Sequence, residues 1–210
     1  PQFAEMLAVR PVFHAAELGY WVVSGYDDCR RVLREHELFS AANTLAPIVA
    51  PCPHAARALV DGGFRSVPTM TNVDPPAHTR TRRIAHLAFT PRRVAAMEDT
   101  VRALVRRFVA EKLTTGRADI VASLTYELPA LVLFGILGVP PDDVEQIKGG
   151  SASRLRFMFG RSSEAEQVDA ATGMAAFWRY CEALAEDRRA HPRDDFTTDL
   201  VHTPDEAGQP

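Results

Sequence analysis

With 210 residues, 46% of them hydrophobic and 24% charged, the chain is long enough to bury a real core as one or two soluble globular domains. A formal net charge of −3 argues against a protein whose main task is holding nucleic acid, and no stretch approaches the roughly 20 uninterrupted apolar residues of a membrane span. The opening residues show no basic region ahead of an apolar run, so no secretory signal is expected, and the absent initiator Met points to trimming.

In chain order, Pro11 to His14 and Tyr20 to Ser24 are apolar, β-favouring runs on either side of Gly19 and are predicted to pair as strands. Tyr26 to Glu35 follows as a helix, with Cys29, Val32 and Leu33 at helical spacing. Residues 44–73 carry Pro47, Pro51, Pro53, Gly62, Gly63 and Pro68, which interrupt the chain too often for a long element and predict an irregular loop, either functional or mobile. Asp74 is placed to cap a helix whose first turn holds Pro75 and Pro76, and that helix runs through Arg82 to Phe89. Thr90-Pro91 repeats the start signal, with Val94, Met97, Val101, Leu104 and Phe108 recurring behind it until Gly116. Ile120 to Leu137 is apolar and helical, with Pro129 expected to kink or divide it. Gly138 to Pro141 breaks the chain, Asp142 can start the next helix, and Phe157 to Gly160 closes a further segment. Gln167 to Arg189 reads as a long helix with Phe177, Cys181 and Leu184 inward; after His191-Pro192 the chain turns polar and ends in Pro204 to Pro210 without a capped element. The expected class is mainly α with a small β-sheet near the N-terminus.

The cysteines, Cys29, Cys52 and Cys181, are sparse, odd in number and far apart, which suits reduced thiols in a cytoplasm. None has a partner at zinc-site spacing, and Cys52-Pro53-His54 supplies too few ligands for a metal. Gly149-Gly150-Ser151-Ala152-Ser153 misses the serine-hydrolase elbow at its last position, and no strand leads into it. No dinucleotide fingerprint, P-loop or zincin motif occurs.

The most informative segment is Asp74-Pro75-Pro76-Ala77-His78-Thr79-Arg80-Thr81-Arg82-Arg83, continuing to Ala88-Phe89-Thr90-Pro91. His78 and Arg82 are four apart and share a helical face, where both can donate hydrogen bonds to an anion. The same face continues through Ala85 and Phe89, so it suits the end of a flat, apolar, carboxylate-bearing ligand. On spacing alone an ordinary solvated basic face is the simpler account, because Arg80, Arg83, Arg92 and Arg93 lie close by.

This segment resembles the C-helix region of bacterial cytochromes P450. Further segments agree in order: Trp21-Val22-Val23-Ser24-Gly25-Tyr26-Asp27-Asp28 leading to Phe39-Ser40, the run from Leu128 to Leu137-Gly138-Val139-Pro140, and Arg188-Arg189-Ala190-His191-Pro192-Arg193-Asp194-Asp195. The resemblance spans essentially the whole chain and implies the N-terminal portion of a single P450 haem domain, residues 1–210. Strands and the B helix would occupy 11–40, the B–C loop 44–73, and the helical C to G/H region 74–203.

By the same resemblance, His78 and Arg82 match the pair that contacts a propionate of haem b. Met70 and Thr71 match the end of a loop that lines the substrate pocket, although Met70 reads equally well as a core-filling methionine. Arg154 to Gly160 would sit around the F helix, another substrate-facing region, and exposed arginines such as Arg80 and Arg83 would help dock an electron donor. The implied activity is haem-thiolate monooxygenation, with O2, a small organic substrate and an electron-donating reductase or ferredoxin as partners, and neither nucleic acid nor membrane. The family's Cys ligand is expected beyond residue 210, so no catalytic or metal-binding residue is assigned within the chain, and the chain alone is expected to be an inactive P450 fragment. Phe39 to Asn43, Gly62-Gly63-Phe64 and Asn72 to Pro76 resemble the self-sufficient members more closely, whose fused reductase carries FMN and a 2Fe–2S cluster. The rival reading is a helical ligand-binding regulator, which needs a basic helix-turn-helix near the N-terminus where strands are predicted instead.

Overall fold

The structure, a computed structural model, describes residues 2–17, 19–114 and 116–204. A helix that the sequence pattern does not announce, α1 (Gln2–Val9), leads into the predicted hairpin. Strands β1 (Val12–Ala15) and β2 (Tyr20–Val23) pair antiparallel with Val12 opposite Val23 and Ala15 opposite Tyr20. His14 and Trp21 stand opposite each other and meet edge to face at 5.4 Å. Helix α2 (Tyr26–Arg34) follows, with Asp27 and Asp28 in its first turn and Arg31 and Arg34 in its last, matching the helix dipole.

Residues 44–73 are less irregular than expected, because they contain helix α3 (Pro53–Asp61). The prolines that read as interruptions include its start signal. Cys52 is the cap, its sulfur accepting from the Ala55 N–H, and Pro53 sits where a missing N–H costs nothing. The rest of the segment is tied down at intervals. The Ile48 N–H donates to the Met158 carbonyl at 2.9 Å, and the Cys52 N–H to Gln167 Oε1 at 2.8 Å.

Helix α4 (Ala77–Ala88) starts without the expected carboxylate cap. A capping side chain accepts from the second or third helical N–H, and with Asp74 as cap the second residue is Pro76, which has none. Asp74 instead accepts from the Ala41 N–H at 2.9 Å and from the Ser40 hydroxyl. Thr90 does cap α5 (Pro91–Ala96), but the predicted single helix divides at Met97 and resumes as α6 (Glu98–Lys112). The Ile120–Leu137 stretch divides as well, into a π-helical turn at Val121–Thr125 and α7 (Leu128–Ile136), with Pro129 in the first turn of α7. A 3₁₀ turn at Pro141–Asp143 opens α8 (Val144–Phe159). Ser163 and Glu166 form a reciprocal capping box for α9 (Glu164–Ala190), and Asp195 caps α10 (Phe196–His202), an element absent from the sequence reading. Residues 205–210 lie outside the described residues.

Helices α8 and α9 form an antiparallel hairpin that is the centre of the molecule. They approach so closely at Gly150 that an added Cβ would stand 2.6 Å from that of Phe177. One end of the hairpin packs α3, burying Cys52, Ala55, Phe157, Ala170, Ala171 and Met174. The other packs α7, burying Phe134, Val139, Val144 and Ile147. Each large apolar side chain so buried contributes about 1.5–3 kcal/mol. The inward stripe of α9 is therefore Ala170, Ala171, Met174 and Ala175; Phe177 and Leu184 are partly buried against the second cluster, and Cys181, expected inward, is exposed.

A buried ion pair closes the far end. Arg188, whose side chain is 2% exposed, donates from Nε to Asp195 Oδ2 at 2.5 Å, from Nη2 to the Gly138 carbonyl at 2.6 Å, and also to Asp187. Asp195 Oδ1 accepts the Thr198 N–H at 2.8 Å, and the Thr197 hydroxyl donates to the Leu137 carbonyl at 2.7 Å. Gly138 has φ +74°, and a Cβ there would fall 2.0 Å from Asp195 Oδ2, so only glycine permits this close approach.

Candidate functional site

Helix α4 is held at its start by the Ser40 and Ala41 bonds to Asp74, and the His78 N–H donates to the Asp74 carbonyl at 3.1 Å. The Ala41 N–H first, and then the Ser40 hydroxyl, hold the Asp74 carboxyl below its ordinary range. That anchor fixes His78 and Arg82 on successive turns, His78 partly buried and Arg82 exposed. Among the described residues neither side chain has a hydrogen-bond or ion-pair partner. Phe89, expected to continue their stripe, leaves it: it is the residue after the last turn, and its ring packs edge-on against Phe196 of α10 at 5.8 Å.

A cavity of about 220 Å³ lies between the 64–72 segment and the α8–α9 hairpin. Phe64, Met158, Met174 and Phe177 give it an apolar wall, and Arg65, Arg154, Ser66, Thr69 and Trp178 supply polar atoms. The loop is stapled to α9 there: Phe64 meets Trp178 edge-on at 5.5 Å, Arg179 Nη1 donates to the Gly62 carbonyl at 2.9 Å, and Arg65 pairs with Glu182. Thr69 and Asn72 close a local turn, the Asn72 side chain accepting from the Thr69 N–H at 2.7 Å.

The two pairs of sequence-predicted residues do not meet in this cavity. Neither His78 nor Arg82 lines it, and of the loop end it is Thr69 and Asn72 that do, not Met70 or Thr71. Met70 is 40% exposed, and the Thr71 hydroxyl lies 2.8 Å from that of Thr69. Arg154 and Met158 fall within the stretch expected to face a ligand. Trp178 was not anticipated; its one signal is helical spacing from Met174 and Cys181, which a core stripe would share.

The cysteines are placed as structural or bystander thiols. Cys29 donates to the Val23 carbonyl at 3.3 Å, and Cys52 is buried as the cap of α3. Although Cys181 as a residue is exposed, desolvation of its sulfur beside the cavity pushes the thiol up, and Arg154 pulls the other way. Among the described residues no group of His, Cys, Asp and Glu is arranged to hold a metal ion, and no helix is long and apolar enough to cross a membrane. Ser153, the last residue of the elbow-like sequence, lies inside α8 with its hydroxyl donating to the Gly149 carbonyl at 3.0 Å.

Contacts join the sequence segments that carried the resemblance. Ser40 of the Phe39-Ser40 pair bonds Asp74 of the C-helix segment, while Arg188 and Asp195 clasp Gly138 of the Leu-Gly-Val-Pro turn. Comparison with known proteins agrees. No family model matches the chain. Cytochrome P450 130 of Mycobacterium tuberculosis is 31% identical over 96% of this chain and 48% of its own length. Among solved structures, cytochrome P450 CREJ in complex with (4-ethylphenyl) dihydrogen phosphate superposes with a TM-score of 0.89 at 35% identity, covering 96% of this chain and 51% of that one. An intact type IV self-sufficient cytochrome P450 monooxygenase gives a TM-score of 0.83 at 32% identity over 93% of this chain and 26% of its own. The chain spans about half the length of the curated relatives it matches, and it is a partial cytochrome P450.

Proposed function

We propose that the intact protein is a haem-thiolate monooxygenase that inserts one oxygen atom of O2 into a small organic substrate, and that residues 1–210 are the N-terminal portion of its single haem domain. The observation that carries this reading is the superposition of 96% of the chain on a P450 structure at a TM-score of 0.89. An apolar cleft lined by Phe89, Val94, Met97, Val101, Val132 and Ile136 stands open between α5, α6 and α7, which suits packing by further chain.

The residues present fit one edge of haem b and not its iron. His78 and Arg82 offer donors on adjacent turns that no acceptor among the described residues takes, the arrangement a propionate requires. Of the three thiols one is buried as a helix cap, one donates to a carbonyl and one is pushed up by desolvation, which supports an axial ligand from outside this stretch and a stretch that is inactive alone. When bound, haem with a thiolate ligand supplies the oxygen chemistry. In this chain, His78 and Arg82 orient the cofactor, and the 64–72 segment with α8 and α9 orients the substrate, Met70 and Thr71 shaping the loop end. Electrons would come from a ferredoxin or reductase, or from a fused FMN and 2Fe–2S module as in the self-sufficient relatives. The reading places the enzyme in the cytoplasm.

Reduction of the intact protein under carbon monoxide tests the haem-thiolate assignment: a red-shifted Soret band supports it, and its absence from haem-loaded protein refutes it. Arg82→Ala tests the anchor. Loss of a charge-assisted bond should speed haem transfer to apomyoglobin about tenfold or more; unchanged haem retention removes Arg82 from that role.

A further inference from the structure

Two residues that line the α8–α9 cavity carry donors with no acceptor among the described residues. The indole Nε1 of Trp178 is fully buried and makes no hydrogen bond. A buried donor left in this state is destabilising, and native folds rarely keep one without a use. Arg154, partly buried on α8, lines the same cavity and makes no hydrogen bond or ion pair with a described residue. Its neighbour across the cavity is the Cys181 thiol, whose charged form it favours but does not secure.

The cavity holds little that could answer these donors. Among the described residues no carboxylate lines it. Glu182 stands beside it but is paired with Arg65, and the Asn72 side-chain oxygen already accepts from the Thr69 N–H and hydroxyl. The remaining polar lining, Ser66 and Thr69, brings hydroxyls that can donate as well as accept. Around this donor-rich wall stand Phe64, Met158, Met174 and Phe177, an apolar surface suited to a ring or an alkyl chain.

We infer that the substrate class of this cavity is an organic acid: a carboxylate or phosphate on a compact aromatic or alkyl body, with its anionic oxygens taken by the Arg154 guanidinium and the Trp178 N–H. This rests on the proposal that the cavity is the substrate site of a haem protein. Arg154 and Met158 are one turn apart on α8, so headgroup and body are read by the same face of one helix. Trp178 faces them from α9, where its contact with Phe64 fixes the indole plane. A neutral analogue of the same shape leaves both donors unanswered, which is how a polar site rejects it.

The test uses the intact, haem-loaded protein and three probes of like shape: 4-ethylbenzoate, 4-ethylphenyl phosphate and neutral methyl 4-ethylbenzoate. Binding is read from the haem absorption shift and, independently, by equilibrium dialysis. At least one acid should bind about tenfold or more tightly than the ester, and the stronger of the two identifies the headgroup. Arg154→Gln should weaken that acid about tenfold to a hundredfold and leave the ester within about twofold. Arg154→Lys should keep part of the preference, and Trp178→Phe, which preserves the ring, should weaken the acid about threefold to tenfold. Equal binding of ester and acids to the wild-type protein overturns the inference. So does an acid preference that survives Arg154→Gln, or a loss of acid and ester alike in both Arg154 variants. The carbon monoxide spectrum of the same sample separates the two proposals: without the shifted Soret band the haem reading fails, while acid preference in dialysis still stands.

Discussion

Arg188 is the side chain whose removal the structure predicts to be most damaging outside any ligand site. Arg188→Ala withdraws the donors of Asp195 and of the Gly138 carbonyl together. Asp187 is 41% exposed and water can resolvate it, so its bond adds little. Asp195 is 7% exposed and among the described residues keeps only its Thr198 partner, leaving a buried carboxylate without its counter-charge. Breaking such a pair costs about 3–5 kcal/mol, a large part of the roughly 5–15 kcal/mol that holds a domain folded. Urea unfolding at pH 7, followed by far-ultraviolet circular dichroism, reads the loss as a lower midpoint. The gap should narrow on acidification. Burial alone raises the Asp195 carboxyl, whereas hydrogen bonding from Arg188 and Thr198 overcomes that and holds it below its ordinary range. In the native protein its contribution is present above the unfolded value near 4 and is lost as pH falls through the lower folded one. In the variant the unpaired carboxyl titrates upward, so protonation stabilises that fold as pH falls. Replacing both partners, Arg188→Met with Asp195→Leu, should restore much of the loss. A single variant within about 1 kcal/mol of wild type, or a double variant worse than the single, refutes the reasoning.

Gly138→Ala should cost at least about 2 kcal/mol, because its φ of +74° disfavours any Cβ and the new methyl meets Asp195; thermal melting should fall by roughly 4–8 °C, and an unchanged midpoint contradicts the close approach. Gln167→Leu should cost about 1–3 kcal/mol in urea unfolding by orphaning the buried Cys52 N–H, and faster amide exchange at Cys52 would localise the effect. Ile147→Ala, at 3% exposure in the cluster under α7, should cost about 2–5 kcal/mol by opening a cavity, whereas Leu155→Ala, 59% exposed one helical face away, should stay within about 0.5 kcal/mol.

The sequence by itself determined what depends on neighbours along the chain. Gly19 and its flanking β-branched runs make the hairpin, Thr90-Pro91 makes a capped start, and Gly138 breaks the chain, because turns, caps and prolines act over a few residues. It also carried the family, since the quoted segments bond one another in space. It did not reveal α3, whose prolines serve as a start signal as readily as an interruption. Nor did it reveal the role of Asp74, whose carboxylate bonds a backbone N–H 33 residues away instead of a helix end that two prolines deprive of its first two N–H groups. The cavity depends wholly on tertiary structure. Arg154 and Trp178 sit on different helices, and whether an arginine or an indole finds an acceptor is decided by what packs opposite it. A linear pattern records which donors a chain owns; only the α8–α9 crossing decides which are left unanswered.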